Sequence, residues 1–365
     1  MTRKLRVAVL FGGLSSEHSI SCATAGGVLG AIDRDRFDVI PIGITRAGQY
    51  VLEADDPRTF TLDGDVLPEV TDNGTRVRWP DDVTSRELTL EQNGVTRSLG
   101  TIDVVFPILH GTYGEDGTIQ GLLELAGLPY VGSGVLASAL GMDKHFTKSV
   151  LQHAGISVAP WRRVRRAEWQ SAPTRVDGLL EGLSLPVFVK PARAGSSVGV
   201  SRVSHAGELA EALQIAFAED DSVLIEQGLD GREVEIAVLG GRAGEAPRTS
   251  EVAGEIVVSG RDFYDFEAKY RGAAGIDLVC PANLSTAELD EMKSIALRAF
   301  DAVGAEGLAR VDFFLSADGF VLNEVNTMPG FTPISMFPTC WIASGVSYAD
   351  LITELIEIAV DRGAR

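Results

Sequence analysis

The segment from 307 to 330, GLARVDFFLSADGFVLNEVNTMPG, carries the side chains best suited to chemistry. Two β-favouring runs flank the turn ADG at 317–319, which predicts a hairpin with a three-residue loop that ends in a left-handed Gly319. In that register Ser316 lies opposite Phe320. Because residues directly opposite each other share a face with residues two positions away, the acids and the amide of both strands should point to one side.

That face carries Asp312, Glu324, Asn326 and Arg310. Two carboxylates and an amide are hard oxygen ligands, and Mg²⁺ takes few protein oxygens when phosphates complete its coordination. The guanidinium of Arg310 adds a group that suits an anion. The face therefore predicts a magnesium–phosphate site, with a solvated hairpin face as the alternative.

Residues 190–199 offer a second contact for phosphate. Lys190 ends a short apolar strand, VFVK, and residues 195–199 read GSSVG. Glycines let backbone N–H groups approach anionic oxygens, and the serines add donors. The alternatives are an ordinary small-residue turn and an edge-strand lysine reaching into solvent. His110, at the end of another apolar run, is either a base or neutral donor for a substrate or a hydrogen-bonded loop histidine.

Composition and charge exclude several classes of protein. A net charge of −19 over 365 residues argues against binding to nucleic acid or anionic membranes. No apolar run approaches the ~20 residues of a membrane span, and the first residues enter a strand rather than a signal peptide. The motifs GxxxxGK[ST] and HExxH are absent. The scattered Cys22, Cys280 and Cys340 predict reduced thiols in a cytoplasmic protein.

The first part of the chain predicts a doubly wound, open sheet. Apolar runs at 5–11, 37–44 and 102–109 are typical of strands buried on both faces, and a glycine turn and a helix separate the first two. The polar, turn-rich residues at 53–100 predict short strands or hairpins at the edge of this domain.

The rest of the chain predicts two further regions. Residues 143–240 favour an α+β domain, with helices at 144–153 and 205–217 and strands at 186–191, 223–226 and 232–239. Residues 241–365 follow with an irregular loop at 261–275, a helix begun by the capping box Ser285–Glu288, the hairpin, and a final helix at 348–360.

Six motifs together resemble the D-alanine–D-alanine ligase family of ATP-grasp enzymes. They are FGGLSSEHSIS, LHGTYGEDGTIQG, GMDK, FVKPARAGSSVGV, FYDFEAKY and RVDFFL…NEVNTMPGFTPISMFP. The resemblance implies an ATP-grasp fold of α/β and α+β domains, with ATP between the second and third. It implies a Rossmann-like substrate domain at 1–142, a central subdomain at 143–240, and a C-terminal subdomain at 241–365 that carries the metal hairpin and a lid loop.

The family's activity would be the joining of two D-alanines, with ATP, through a D-alanyl phosphate, to supply a peptidoglycan precursor. The resemblance implies two Mg²⁺ or Mn²⁺ ions on Asp312, Glu324 and Asn326, and a cytoplasmic homodimer. The residues it implies for ATP are Lys144, Lys190, Ser197, Glu226, Leu229, Glu233, Phe263 and Lys269. Those it implies for catalysis and for the two substrates are Glu17, His110, Ser196, Tyr270, Arg310, Gly330, Ser335 and Met336.

Two alternatives remain open on the sequence. One is an ATP-grasp ligase that joins a different carboxylate and amine, and the other is a catalytically silent nucleotide-binding protein. The aromatic residues of the loop at 261–275 favour a lid that closes over a ligand, because aromatics in a long polar loop are better placed against a ligand than in water. Tyr270 in that lid, where related D-lactate-joining enzymes have a histidine, predicts D-alanine as the acceptor.

Overall fold

The computed structural model describes residues 3–61, 67–171, 176–195, 197–258 and 276–364. Its strands are β1 (Leu5–Gly12), β2 (Phe37–Ile44), β3 (Tyr50–Leu52), β4 (Thr75–Arg78), β5 (Glu87–Gln92), β6 (Val95–Thr101), β7 (Val104–Ile108), β8 (Trp161–Arg165), β9 (Val187–Pro191), β10 (Ser201–Val203), β11 (Ser222–Gln227), β12 (Arg232–Leu239), β13 (Arg248–Thr249), β14 (Gly254–Val258), β15 (Ile276–Val279), β16 (Leu308–Ser316) and β17 (Gly319–Asn326). Its α-helices are α1 (His18–Ala31), α2 (Thr118–Leu125), α3 (Val135–Met142), α4 (Lys144–His153), α5 (Arg166–Ser171), α6 (Val176–Leu179), α7 (Leu209–Glu219), α8 (Thr286–Ala302), α9 (Met336–Ala343) and α10 (Tyr348–Arg362). None of these helices has the length and apolar character needed to cross a membrane.

The N-terminal sheet has the strand order β3-β2-β1-β7, and β1 runs parallel to both of its neighbours. The apolar run of β1 divides between two cores, as expected for a strand buried on both faces. Val7 and Val9 pack with α1, whereas Ala8 and Leu10 pack with α2 and with the antiparallel sheet β4-β5-β6. The hairpins predicted at 53–100 are confirmed by that antiparallel sheet.

The last helix, α10, belongs to the core of this N-terminal sheet. Its residues Leu351, Leu355 and Ile356 are fully buried with Val7 and Val9 of β1. An ion pair between Arg36 and Glu357 also joins the two ends of the chain. The first and last parts of the sequence therefore share one core.

The central sheet is antiparallel, with the order β10-β9-β11-β8, and α7 covers its apolar face. Strand β8 is at the edge of this sheet, and the helix α5 follows it directly. Lys190 lies on β9, which has partners on both sides, so the edge-strand alternative for this lysine was wrong.

The C-terminal sheet has the order β15-β14-β12-β16-β17, with β13 added beside β12. The strand at 232–239 was predicted to belong with the central strands, but every residue of β12 pairs antiparallel with β16, from Arg232–Leu315 to Leu239–Leu308. Apolar patterning identifies a strand but not its partner, which explains the difference. The boundaries of the three domains remain predictions.

The hairpin β16–β17 confirms the predicted pairing of Asp312 with Glu324 and of Arg310 with Asn326, but the predicted pairing of Ser316 with Phe320 was wrong. Ser316 pairs with Gly319, so the loop has two residues and the three-residue loop was wrong. A bulge between Asp312 and Phe313 then shifts the pairing by one, leaving Asn323 as the extra residue, and Asp312 lies opposite Glu324 after all.

Helices α3 and α9 were missed in the sequence. Both are short and largely apolar, without the polar face that marks an amphipathic helix. In α9 the proline at 338 also argued against a helix, but it lies in the first turn, where proline is tolerated.

Candidate active site

A cavity of about 500 Å³ is lined by the central sheet, the C-terminal sheet and loops of the N-terminal sheet. Every predicted site residue that the structure describes borders it: Glu17, His110, Lys144, Lys190, Ser197, Glu226, Leu229, Glu233, Arg310, Asp312, Glu324, Asn326, Gly330, Ser335 and Met336. Ser196, Phe263, Lys269 and Tyr270 lie outside the described residues, as does the predicted lid loop at 261–275. Residues far apart in the sequence are thus assembled around one space.

One wall of the cavity is a row of three carboxylates around an arginine, which we call the carboxylate cluster: Glu235, Arg310, Asp312 and Glu324. Glu235 on β12 pairs with Asp312 on β16, which pairs with Glu324 on β17, so the acids lie side by side across three strands. Arg310 donates to both carboxylate oxygens of Asp312 at 2.7 Å and its Nε lies 3.0 Å from Glu235 Oε2. Burial alone would lower the pKa of Arg310, but Asp312 and Glu235 outweigh it and raise that pKa well above its ordinary value.

The donor set beside this cluster fits Mg²⁺ or Mn²⁺. The Nδ2 atom of Asn326 lies 2.9 Å from Asp312 Oδ2 and 3.5 Å from Glu324 Oε1. Rotation of the amide by half a turn would put its oxygen in that position. Two carboxylates and an amide oxygen in this proximity are the hard donors that such ions prefer. In the described parts of the chain no group of three or more His, Cys, Asp and Glu is arranged for a metal, and this set contains two acids and an amide.

Another part of the cavity wall holds the lysine cluster, which comprises Lys148, Glu226 and Lys190. Lys190 Nζ donates to Glu226 Oε1 at 2.6 Å, and Lys148 Nζ lies 2.8 Å from Glu226 Oε2. The side chains of Lys148 and Glu226 are 2% and 4% exposed. Burial would raise the pKa of Glu226, but the two ammonium groups lower it to about 2, so the carboxylate stays ionised. The expectation that Lys190 needs a charged partner is confirmed.

Lys148 was missed in the sequence, although a signal was present. It follows Lys144 by four positions on α4, which places both lysines on one side of the helix. Burial lowers the pKa of Lys148, against the pull of Glu226. Glu235 was missed as well, although it shares a face of β12 with the predicted Glu233.

The residues directly before the GSSVG segment at 195–199 are anchored to neighbouring elements. Arg193 donates from its backbone N–H and from Nε to Asp220 Oδ2, at 2.9 and 3.0 Å. Lys144 Nζ donates to the carbonyl of Ala194 at 2.6 Å, which ties the start of α4 to the loop. Ser197 has a positive φ of 59°, a conformation that a serine rarely adopts. These contacts hold the loop at the edge of the cavity.

The N-terminal loops contribute buried ionisable groups. His110 is 6% exposed, its Nε2 has no hydrogen-bond partner among the described residues, and burial lowers its pKa. Glu115, which the sequence analysis did not single out, accepts from the Gly111 N–H at 2.7 Å. Burial, with the nearby Glu17 carboxylate, raises the pKa of Glu115 to about 8. An orphaned imidazole nitrogen and a protonated carboxyl that border the same cavity suit hydrogen bonding to a polar ligand.

The start of α9 forms the remaining wall. Ser335 Oγ accepts from the Thr332 N–H at 3.1 Å and lies 2.7 Å from Thr332 Oγ1. Met336 borders the cavity but is 4% exposed, and its sulfur packs so closely that a Cβ on Gly254 would lie 1.9 Å from it. Only glycine at 254 permits this approach of β14 and α9.

Two family models match the chain. The model described as "D-ala D-ala ligase N-terminus" matches residues 6–133, and the one described as "D-ala D-ala ligase C-terminus" matches residues 150–357. The chain belongs to the D-alanine–D-alanine ligase family. Its resemblance to that family, and the ATP-grasp fold that the resemblance implied, are thereby confirmed.

Relatives in this family share about half of their residues with the chain. A D-alanine–D-alanine ligase of Pseudarthrobacter chlorophenolicus is 53% identical over 98% of this chain and 95% of its own length. That of Streptomyces coelicolor is 49% identical over 98% and 93%.

Solved structures of the family are similar throughout. The VanG D-Ala:D-Ser ligase of Enterococcus faecalis has a TM-score of 0.83 at 34% identity, covering 98% of this chain and 100% of its own. The D-alanine-D-alanine ligase of Coxiella burnetii has a TM-score of 0.81 at 34% identity, covering 98% and 94%. Two members that differ in their named acceptor are thus equally similar in sequence to this chain.

Proposed function

We propose that this protein joins two molecules of D-alanine, with ATP, to form D-alanyl-D-alanine, ADP and phosphate for peptidoglycan precursor synthesis. The observation that carries the proposal is the pair of oppositely charged clusters facing one cavity. The lysine cluster suits phosphate oxygens, and the carboxylate cluster suits cations. Membership of the ligase family supports the same conclusion.

In the first step the carboxylate of one D-alanine attacks the γ-phosphate of ATP. Lys144 and Lys190 hold phosphate oxygens, as Lys269 and Ser197 also would. Asp312, Glu324 and Asn326 would hold two Mg²⁺ or Mn²⁺ ions, which spread the charge of the transferring phosphoryl group.

The remaining ATP contacts involve the base and the ribose. The residues proposed to meet them are Glu226, Leu229, Glu233 and Phe263.

The donor substrate is bound near the N-terminal loops. Glu17 holds its ammonium group, with Ser196 and Tyr270 as hydrogen-bond partners of Glu17. His110 is neutral at neutral pH, because its pKa is lowered by burial, and it therefore acts as a hydrogen-bond partner for substrate rather than as a charge.

In the second step the amine of the second D-alanine attacks the acyl phosphate. Phosphate then leaves the tetrahedral intermediate. Arg310 is held in place by Asp312 and Glu235, so its guanidinium is pre-organised to stabilise the oxyanion together with the Gly330 N–H. Ser335, beside Met336, binds the acceptor carboxylate.

ADP release in the presence of a panel of D-amino acids tests the reaction. We expect ADP with D-alanine, and one dipeptide for each ADP. ADP release with a different carboxylate and amine would favour another ATP-grasp ligase, and binding of ATP without any turnover would favour a silent nucleotide-binding protein.

The choice of acceptor needs its own experiment. We expect D-alanine to exclude D-lactate at pH 7, since tyrosine at 270 adds no cation beside the incoming group. D-serine belongs in the same competition, because the structural relative from Enterococcus faecalis is a D-Ala:D-Ser ligase. Comparable amounts of ester or of D-Ala–D-Ser would contradict the assignment. Tyr270→Phe should raise the ratio of ATP hydrolysed to dipeptide formed, and unchanged coupling would remove the tyrosine hydroxyl from lid closure.

The family resemblance also supports a homodimer. A cytoplasmic location is supported by the use of ATP, which is a cytoplasmic substrate. Sedimentation velocity should give twice the mass of one chain. A monomer with full activity would refute the dimer without affecting the reaction.

A further inference from the structure

Two cysteines that the proposed reaction does not use lie side by side. Cys280 directly follows β15 and Cys340 lies on α9, and their sulfur atoms are 4.0 Å apart. The third cysteine, Cys22, is fully buried on α1. Cys280 is half-buried, whereas Cys340 has no exposed surface.

The two elements that carry this thiol pair also carry walls of the active-site cavity. Met336, four residues before Cys340, and Leu278, two residues before Cys280, both border the cavity, while neither cysteine does. Helix α9 begins directly after Ser335, the residue proposed for the acceptor carboxylate, and it packs on β12, which carries Glu235. A disulfide between Cys280 and Cys340 would therefore link two elements that form walls of the cavity, without itself bordering the cavity.

We propose that Cys280 and Cys340 are an oxidation site, at which a peroxide forms a reversible disulfide that weakens binding of the acceptor substrate. The half-buried thiol reacts first: the Cys280 thiolate attacks the peroxide, the O–O bond breaks, and a sulfenic acid and water form. The Cys340 sulfur then attacks the sulfenic sulfur, giving the disulfide and a second water. In sum, two thiols are oxidised, one peroxide is reduced, and a dithiol reductant reverses the change.

Geometry explains why the bond should affect the acceptor. A disulfide has an S–S distance of ~2.05 Å, so the sulfurs must approach by about 2 Å from their present separation. Cys280 lies in a bend directly after β15 and Cys340 lies on α9, so the approach of the sulfurs must displace the bend, α9, or both, and α9 begins directly after Ser335. A displacement of ~1 Å at a reacting centre can cost up to about a hundredfold in rate. The effect on the acceptor, unlike the oxidation itself, rests on the proposed function.

The test uses the full chain treated with a modest molar excess of hydrogen peroxide. We expect the intact mass to fall by two hydrogen atoms and peptide mapping to join Cys280 to Cys340. The KM for the acceptor D-alanine should rise about tenfold, the KM for the donor should not change, and dithiothreitol should restore both mass and KM. Reduced Cys280→Ser should keep the normal activity and show no peroxide effect.

The controls separate the possible failures. Cys22→Ala should respond to peroxide as the parent protein does, and Cys340→Ala should show a stable sulfenic acid at Cys280 in place of the disulfide. Absence of the disulfide in the parent protein would overturn the proposal. A disulfide with an unchanged acceptor KM would overturn the link to the acceptor site, and failure of dipeptide synthesis in the reduced protein would refute the proposed function without touching the disulfide.

Discussion

The lysine cluster and the carboxylate cluster face the same cavity, but their charges do not balance, and they are unbalanced in opposite directions. In the lysine cluster one carboxylate, Glu226, lies between two ammonium groups, which leaves one positive charge in excess. In the carboxylate cluster, counted over its own four residues alone, three acids accompany the one guanidinium of Arg310, which gives a net charge of −2. Burial of unbalanced charge is costly unless something else neutralises it.

Net charge, rather than the presence of ion pairs, is what distinguishes these two clusters from an ordinary salt bridge. An ion pair of one positive and one negative group, such as Arg232–Glu255, has no net charge for a ligand to offset. Under the proposed function, phosphate would offset the net positive charge of the lysine cluster, and metal cations would offset the net negative charge of the carboxylate cluster. Removing one charge at a time should therefore affect the two clusters differently.

The largest effect is expected from Glu324→Gln, which reduces the excess in the carboxylate cluster. The amide keeps an oxygen but loses the charge that a magnesium ion needs. We expect an intact fold and a kcat below a tenth of the wild-type value at any magnesium concentration, a loss of more than ~1.4 kcal/mol. Circular dichroism and steady-state kinetics measure both.

The matched control is Glu354→Gln, the same change on α10, away from the cavity. Its carboxylate pairs with Arg242, so we expect normal turnover and a small loss of stability. A Glu324→Gln enzyme that kept more than a tenth of its kcat would show that the charge excess at this wall does not serve a metal.

A second experiment removes the excess positive charge from the lysine cluster. In Lys148→Met, Lys190 becomes the sole partner of Glu226, and is therefore less available to a phosphate. We expect a raised KM for ATP and a loss of about 3 kcal/mol in the free energy of unfolding, because a buried ion pair is broken. Urea unfolding and ATP titration give the two values.

Lys293→Met provides the control for that variant. It removes an ion pair with the exposed Glu251, so the loss should stay below about 1 kcal/mol and the KM for ATP should not change. If Lys148→Met lost stability but kept its KM for ATP, the lysine cluster would be structural only.

The smallest expected effect is a pH dependence of stability that arises from Glu115. This side chain is partly buried, and its raised pKa keeps the carboxyl protonated at neutral pH. Its pKa is raised to about 8, so the folded protein keeps a proton that the unfolded chain releases above its ordinary pKa of about 4.5. The wild-type protein should therefore lose stability as pH rises from about 5 to about 8. Glu115→Gln should lack this part of the slope.

Urea unfolding of both proteins across that pH range measures the difference. Glu354→Gln should change the pH dependence of stability in the opposite direction. Hydrogen bonding to Arg242 lowers the pKa of Glu354, so in the wild-type protein this carboxylate contributes stability that is lost as pH falls. The variant should lack that contribution. Parallel stability curves for Glu115→Gln and the wild type would mean that Glu115 is ionised in the folded protein.

Local patterns in the sequence predicted the elements well where the cause is local. The helix at 144–153, the strand at 37–44 and the capping box, in which Ser285 and Glu288 bond to each other's backbone N–H groups, all appear as expected. The family motifs likewise identified most of the residues around the cavity.

The sequence was less informative where the cause lies between elements. Lys148 and Glu235 are important because of ion pairs with residues on other secondary-structure elements. The sequence around each of them does not indicate which residues those partners are. The hairpin shows the same limit, since Asp312 faces Glu324 only because a bulge at Asn323 offsets a shorter turn. A correct pairing was thus predicted from an incorrect loop.

The position of α10 has a consequence for how the protein is made. Leu351, Leu355 and Ile356 complete the core around β1, so the face of the first strand that α1 and α10 share cannot be fully covered until the last helix has left the ribosome. A nascent chain of more than three hundred residues must therefore wait with that face exposed, a state that is prone to aggregation. We expect synthesis of this protein to depend on chaperones that shield the N-terminal sheet, and deletions at the C-terminus to trap it there.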